Sequence, residues 1–290
     1  MTATYLERLA ERSAAVGTVL CVGLDPDPAS LPAGFPADLR GVERLAHLIV
    51  DATASVAAAF KPNLAFFEAF GSSGLAALER VRARIPRGIP VVVDAKRADI
   101  GTTAARQAVA LFDGLGADAV TVSPYLGGAA LEPFLTRPDR FAYVLCRTSN
   151  PGAGEFQDLA VTDPRDQAAE PLHLRVARRA AGWGPGGSVG LVVGATAPGE
   201  LQAIRSLTPG LAFLVPGVGA QGGDLGAALA AGPAAAPPAG GRPGGGLLVN
   251  VSRGIAEPTT KAPTIAESSD PAERIATAAA EWASRLPVLP

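Results

Sequence analysis

The sequence predicts an α/β fold, a single (β/α)8 TIM barrel with residues 1–290 forming one domain. Three observations carry that expectation. Eight short apolar runs rich in β-branched residues recur along the chain, segments with helical patterning separate them, and the two kinds alternate throughout. Such alternation implies parallel pairing through right-handed crossovers. Eight units in about 250 residues are what a closed barrel needs, with an open doubly wound sheet as the main competitor.

Residues 1–16 open the chain as a helix, with Glu7, Arg8, Glu11 and Arg12 at helical spacing. The first strand is expected at 18–23, with helical patterning after it at 42–56, and the second at 58–62, followed by a helix at 75–85. The third, 91–95, begins Val91-Val92-Val93 and leads to a helix at 103–115. The fourth and fifth strands fall at 119–122 and 141–146, a helix at 167–181 precedes the sixth at 189–194, and a helix at 200–207 precedes the seventh at 211–215. Only 224–231 remains for a short helix before the eighth strand at 247–251, and 271–286 closes the chain as a helix. Between them, residues 232–246 read GPAAAPPAGGRPGGG; without apolar periodicity and with so many helix breakers, a flexible surface loop is expected there.

Composition excludes several functions. The 25 basic residues comprise 22 arginines and three lysines, Lys61, Lys96 and Lys261. An excess of Ala, Gly, Pro and Arg marks the whole chain, so a lysine that survives the bias points to a place where chemistry requires one. A net charge of −2 without basic runs leaves no electrostatic footprint for DNA or RNA. The uncharged stretches 180–199 and 206–223 are interrupted by Gly and Pro and do not read as membrane spans. The N-terminus lacks the apolar core of a signal peptide, so a cytoplasmic protein is expected. Cys21 and Cys146 lie in separate apolar runs, which suits buried, reduced thiols better than a disulfide or a metal site.

A barrel of this kind carries its reactive groups at the C-terminal ends of the strands. There the first strand ends in Gly23-Leu24-Asp25-Pro26, the second in Lys61-Pro62-Asn63, and the third contains Asp94-Ala95-Lys96 followed by Asp99-Ile100-Gly101. Alternation along an extended strand turns Asp94 and Lys96 to one face, an anion beside an ammonium in the barrel mouth. Taken singly, Asp25 before a proline suits a turn, Lys61 a snorkelling strand-end lysine, and Asp94 with Lys96 an interior ion pair. Yet such a pair adds little net stability. Lys61, Asp94, Lys96 and Asp99 can instead alternate in sign around neighbouring strand ends, which keeps every member ionised.

The loops after the seventh and eighth strands are the usual phosphate site of such barrels. Here they read Pro216-Gly217-Val218-Gly219-Ala220-Gln221-Gly222-Gly223 and Asn250-Val251-Ser252-Arg253-Gly254-Ile255. Glycines let backbone N–H groups approach a phosphate, and Arg253 adds charge-assisted hydrogen bonds; a salt bridge from Arg253 to Glu257 is the alternative. Gly217, Gly219 and Gly222 also satisfy G-x-G-x-x-G, but a dinucleotide site wants an acidic strand end about 20 residues on, where this chain has its 232–246 segment.

In this order the motifs resemble those of the orotidine 5′-phosphate decarboxylase family. Residues 94–103, DAKRADIGTT, are similar to its signature, and Lys61-Pro62-Asn63-Leu64-Ala65-Phe66-Phe67-Glu68 and Thr148-Ser149-Asn150-Pro151-Gly152 resemble its longer bacterial branch, type 2. The resemblance runs from Gly23-Leu24-Asp25 to Ser252-Arg253-Gly254, nearly the whole chain. It implies a carboxy-lyase that makes UMP from orotidine 5′-monophosphate without cofactor or metal, as a homodimer with active sites at the interface. It further implies Lys96 as proton donor to C6 of the pyrimidine, Asp94 beside the departing CO2, Lys61 holding Asp94 and the ribose, and Asp25 accepting a ribose hydroxyl. Asp99 and Thr103 would reach the ribose in the neighbouring subunit, Ser149 would read the pyrimidine amide, and Gln221, Arg253 and the backbone at Gly217 and Gly219 would grip the 5′-phosphate. Two features depart from the family: Ser123 stands where most relatives carry Asn, and 232–246 differs from the usual connection.

Two further readings use parts of the same pattern. A metal-dependent sugar-phosphate decarboxylase or aldolase-like barrel shares the D-x-K-x-x-D frame, although His47 and His173 fall in helical segments and no His-carboxylate ligand set is visible. A non-catalytic barrel that binds a phosphate ligand is the other.

Overall fold

A computed structural model describes residues 3–32, 34–163, 168–219, 221–256 and 270–289. The eight expected strands form: β1 Leu20–Leu24, β2 Ala59–Pro62, β3 Val92–Arg97, β4 Ala119–Val122, β5 Phe141–Arg147, β6 Val189–Val193, β7 Ala212–Pro216 and β8 Leu247–Val251. All neighbours pair in parallel, in the order β2-β1-β8-β7-β6-β5-β4-β3, and single bridges Phe60↔Val91 and Asn63↔Asp94 join β2 to β3. The ring is therefore closed, which disposes of the open-sheet competitor.

Strand pleating sorts the residues into an inner and an outer set. Outward side chains such as Val22, Phe60, Val93, Val120, Val144, Leu191, Phe213 and Val249 pack under the helices in the main core. Inward ones, among them Cys21, Ala59, Val92, Ala119, Tyr143 and Leu248, form a second buried cluster inside the barrel. The helix Tyr5–Val16 plugs the N-terminal end of that cluster. Its Thr4–Glu7 capping box fixes its start, and Tyr5 stacks on Phe141 at 4.8 Å between ring centres while its hydroxyl lies 3.2 Å from that of Tyr143. Two residues further along five of these strands stand Lys61, Asp94, Thr121, Leu145 and Asn250, and all five line a cavity at the opposite end. One inward row thus changes from apolar to largely polar within a single pleat.

Two local expectations need correcting, and one helix was not placed from the sequence. The helix expected from 167 begins at Leu172, because Ala169–Pro171 pairs antiparallel with Ala160–Thr162 as a short ribbon. The residue before a proline is biased toward extended backbone, which suits Glu170 to that ribbon; residue 167 itself lies outside the described residues. A helix, Gly128–Leu135, joins β4 to β5 although Pro133 sits inside it; burial of Leu131, Phe134 and Leu135 offsets the lost backbone hydrogen bond. Residues 232–246 are irregular as expected, yet much of the segment is packed rather than loose, with Ala239 and Gly244 to Gly246 buried. Small residues allow this close approach: a Cβ on Gly244 would stand 2.4 Å from that of Ser13 in the N-terminal helix.

The segment is also tethered at its start. The buried Arg205 stacks over Phe213 and donates to the carbonyls of Thr208, Leu211, Ala231 and Gly232 at 2.6–3.3 Å. Replacing it with Met keeps length but takes four hydrogen bonds from these carbonyls, of which that of Thr208 retains the Leu211 N–H, so Arg205→Met is expected to lower stability by about 2–4 kcal/mol. Urea denaturation measures the change, and a midpoint equal to that of the parent would contradict the tether.

Candidate active site

The cavity at the C-terminal ends of the strands has a volume of about 520 Å³. On one side the Asp94 carboxylate lies between two ammonium groups, with Lys61 Nζ 2.9 Å from Oδ2 and Lys96 Nζ 2.6 Å from Oδ1. The two lysines differ in setting: the Lys61 side chain is 5% exposed and that of Lys96 is 52% exposed. Burial disfavours the Lys61 ammonium, but Asp94 and Asp25 outweigh it and hold its pKa above the ordinary lysine value. Burial likewise disfavours the Asp94 carboxylate, but Lys61 and Lys96 outweigh it and hold its pKa well below the usual carboxylate range. Cys21 lies inside the barrel beneath these charges, and burial pushes its thiol up to about 12.

Asp94 and Lys96 meet as expected, but not by simple alternation. The register of β3 against β4 jumps from Val93↔Val120 to Arg97↔Val122, so residues 94–96 bulge out opposite Thr121. At the apex Lys96 has φ 48°, the one left-handed non-glycine residue among those described. The bulge re-aims the ammonium toward the carboxylate.

Opposite this charge cluster stand the glycine loops. Gly217 has φ 99°, and a Cβ there would lie 3.1 Å from Cβ of Ser149; one on Gly194 would lie 2.8 Å from the same atom. Both glycines therefore admit Ser149 to the cavity wall. Gly219, Gln221 and Arg253 complete this end, and Arg253 makes no ion pair among the described residues. The alternative partner, Glu257, lies outside them, as does Lys261. On the walls, Asp25 Oδ1 and Asn250 Oδ1 are buried without a hydrogen-bond partner among the described residues, which leaves two acceptors available to a ligand's hydroxyl groups.

The structure thus brings Asp25, Lys61, Asp94, Lys96, Ser149, Gly217, Gly219, Gln221 and Arg253 to one cavity. It does not bring Asp99 or Thr103 there. Asp99 accepts from the backbone N–H of Ile100 at 2.7 Å, Thr103 is exposed on the helix Gly101–Ala108, and the expected alternation of four charges has three members within one chain. Ser123, half-buried, is not among the cavity-lining residues.

Thr121, Asn250 and Gln157 also line the cavity, without a role assigned to them from the sequence. Thr121 and Asn250 occupy inward positions near strand ends, a signal that a polar residue in an otherwise apolar run carries. Gln157 has no such signal: from the end of the short helix Gly154–Gln157 its amide clamps Thr148, accepting from the backbone N–H and donating to the hydroxyl at 2.8 Å each. His173 is buried with Nδ1 2.8 Å from the Gln157 carbonyl oxygen, and among the described residues no group of three His, Cys, Asp or Glu side chains is placed to hold a metal ion. No helix among them is long and apolar enough to cross a membrane.

Residues 18–267 match the model of the Orotidine 5′-phosphate decarboxylase / HUMPS family. The orotidine 5′-phosphate decarboxylase of Thermomicrobium roseum is 49% identical over 253 residues, which is 87% of this chain and 86% of that protein. That of Roseiflexus castenholzii is 51% identical over 237 residues, 81% of this chain and 82% of that protein. Among solved structures, Leishmania donovani OMP decarboxylase superposes with a TM-score of 0.78 at 41% identity, covering 97% of this chain and 96% of its own.

Proposed function

The chain belongs to the orotidine 5′-phosphate decarboxylase / HUMPS family, and on that premise we infer that it converts orotidine 5′-monophosphate to UMP and CO2 in pyrimidine biosynthesis, cofactor-free, with Lys96 protonating C6. The observation that carries the residue assignment is the Asp94 carboxylate held between Lys61 and Lys96 across the cavity from Arg253, which makes no ion pair among the described residues. The phosphate is assigned to Gln221, Arg253 and the backbone at Gly217 and Gly219, the pyrimidine amide to Ser149, and a ribose hydroxyl to Asp25.

In this reading the C6–carboxylate bond breaks and its electron pair stays on C6 as CO2 leaves. The Lys96 ammonium, preorganised by Asp94, stabilises that localised charge and then transfers a proton to it. The amine left behind regains its proton from solvent. Asp94 faces the departing carboxylate, and Lys61 anchors Asp94 from the buried side. Phosphate contacts far from C6 contribute to rate because remote binding energy can drive closure and exclude water.

Purified protein mixed with orotidine 5′-monophosphate is expected to produce the ultraviolet change of conversion to UMP, undiminished by EDTA. No turnover overturns the reading, and loss on chelation favours the metal-dependent alternative.

The reading takes residues 1–290 as one domain that works in the cytoplasm as a homodimer. Support for a second copy comes from Asp99 and Thr103, which do not line the cavity of their own chain, and from the exposed apolar side chain of Ile100 next to Asp99, 68% exposed. If the partner's cavity uses Asp99, mixing inactive Lys96→Ala and Asp99→Ala subunits regenerates one intact site in each hybrid dimer. About a quarter of parental activity is expected at full exchange of equal amounts. No recovery despite demonstrated exchange would falsify the shared site.

A further inference from the structure

We propose that Thr121 is a positioning residue for the decarboxylation: its single hydroxyl holds the bulge that aims Lys96 at Asp94. The inference rests on the proposed reaction and adds to it a residue that does not itself act on the substrate.

The bulge creates a local problem. Where residues 94–96 leave the β3–β4 ladder, the backbone N–H groups of Ala95 and Lys96 lose strand carbonyls as partners, and Lys96 takes a left-handed backbone that a side-chain-bearing residue avoids. Thr121, 2% exposed and directed inward from β4, answers both needs. Its Oγ1 accepts from Ala95 N and from Lys96 N at 3.0 Å each, and donates to Asp94 Oδ1 at 2.9 Å. A hydroxyl has one proton to give and two lone pairs. All three are used, and all three act on the segment that holds the reacting pair.

The donor also decides how Asp94 is shared. Oδ1 receives both the Thr121 hydroxyl and the Lys96 ammonium, while Oδ2 faces Lys61. Rotation of the carboxylate would break one of these contacts, so Thr121 keeps Oδ1 toward the exposed lysine. A backbone clamp and a carboxylate lock thus meet in one oxygen atom, which a side chain present only for packing would not require.

Three variants separate this role from packing. Thr121→Val keeps shape without the hydroxyl, Thr121→Ala removes hydroxyl and methyl, and Thr121→Ser keeps the hydroxyl. Loss of the clamp should lower kcat about 100-fold in the Val and Ala variants, as expected when a general acid is misplaced, with the inhibition constant of UMP within threefold of the parent. Thr121→Ser should stay within about tenfold of the parent, because orientation and not bulk is what the hydroxyl supplies. Should Thr121→Val fail to fold, the contrast between Ala and Ser reads the same quantity. A kcat within threefold of the parent for either hydroxyl-free variant, or equal losses in Ser and Ala, overturns the proposal. A crystal structure of Thr121→Ala tests the clamp apart from the reaction: Lys96 is expected to leave the left-handed region, and an unmoved Lys96 also overturns the proposal. A parent without turnover fails the reaction instead, while that structure still judges the clamp.

Discussion

Lys96→Arg is expected to keep the fold and nucleotide binding while losing about 10⁴-fold in kcat, some 5 kcal/mol of transition-state stabilisation. The positive charge survives, so the contacts assigned to the phosphate on the far side of the cavity should be untouched. What disappears is a transferable proton, since guanidinium stays protonated throughout the accessible pH range. The planar group also cannot reproduce the 2.6 Å approach of a compact ammonium to Asp94 from a backbone at φ 48°. Measuring kcat at saturating orotidine 5′-monophosphate, together with the inhibition constant of UMP, separates the two effects. Turnover within tenfold of the parent would remove Lys96 from the role of acid.

Asp94→Asn is expected to cost both activity and stability. Its carboxylate is the shared counter-charge of Lys61 and Lys96, and without it the buried Lys61 keeps, among the described residues, the carboxylate of Asp25. Breaking a buried pair by removing one partner destabilises by about 3–5 kcal/mol, and kcat should fall by about 10³-fold because the acid loses its support. The pH dependence has a definite sign. Because the folded state holds Asp94 below the usual carboxylate range, its contribution is full above the unfolded pKa of about 3.9 and declines as pH falls from there toward the depressed native value. Urea midpoints of parent and Asp94→Asn should therefore differ most near neutrality and converge on acidification below about 4. A gap that widens toward acid contradicts this placement of the charge.

Much of this architecture was legible because it rests on periodicity. The alternation of Cys21, Ala59, Ala119 and Leu248 inward with Val22, Phe60, Val120 and Val249 outward follows from the pleat alone, and polar residues one step further mark the mouth. Lysine scarcity pointed to Lys61 and Lys96 for a reason independent of fold. The features that escaped depend on contacts between distant segments. Alternation put Asp94 and Lys96 on one face, but their contact is made by a bulge whose stabiliser, Thr121, lies on the next strand. Gln157 reaches back to Thr148 from the end of a short helix, a contact that local spacing does not encode. Composition marked 232–246 as irregular and said nothing of the closeness with which glycines and alanines pack against the N-terminal helix. Asp99 belonged by its charge to the cluster, whereas the backbone carries it away from its own cavity.

The cysteine beneath that cluster has a consequence for oxidative chemistry. Reaction with peroxides or alkylating agents requires an accessible thiolate. Cys21 is wholly enclosed by the barrel wall and its acidity is suppressed, and Cys146, 3% exposed, is also pushed up to about 12 by burial. Both cysteine thiols are therefore shielded in the folded protein, and oxidation of Cys21 beneath the charge cluster is expected to require opening of the barrel.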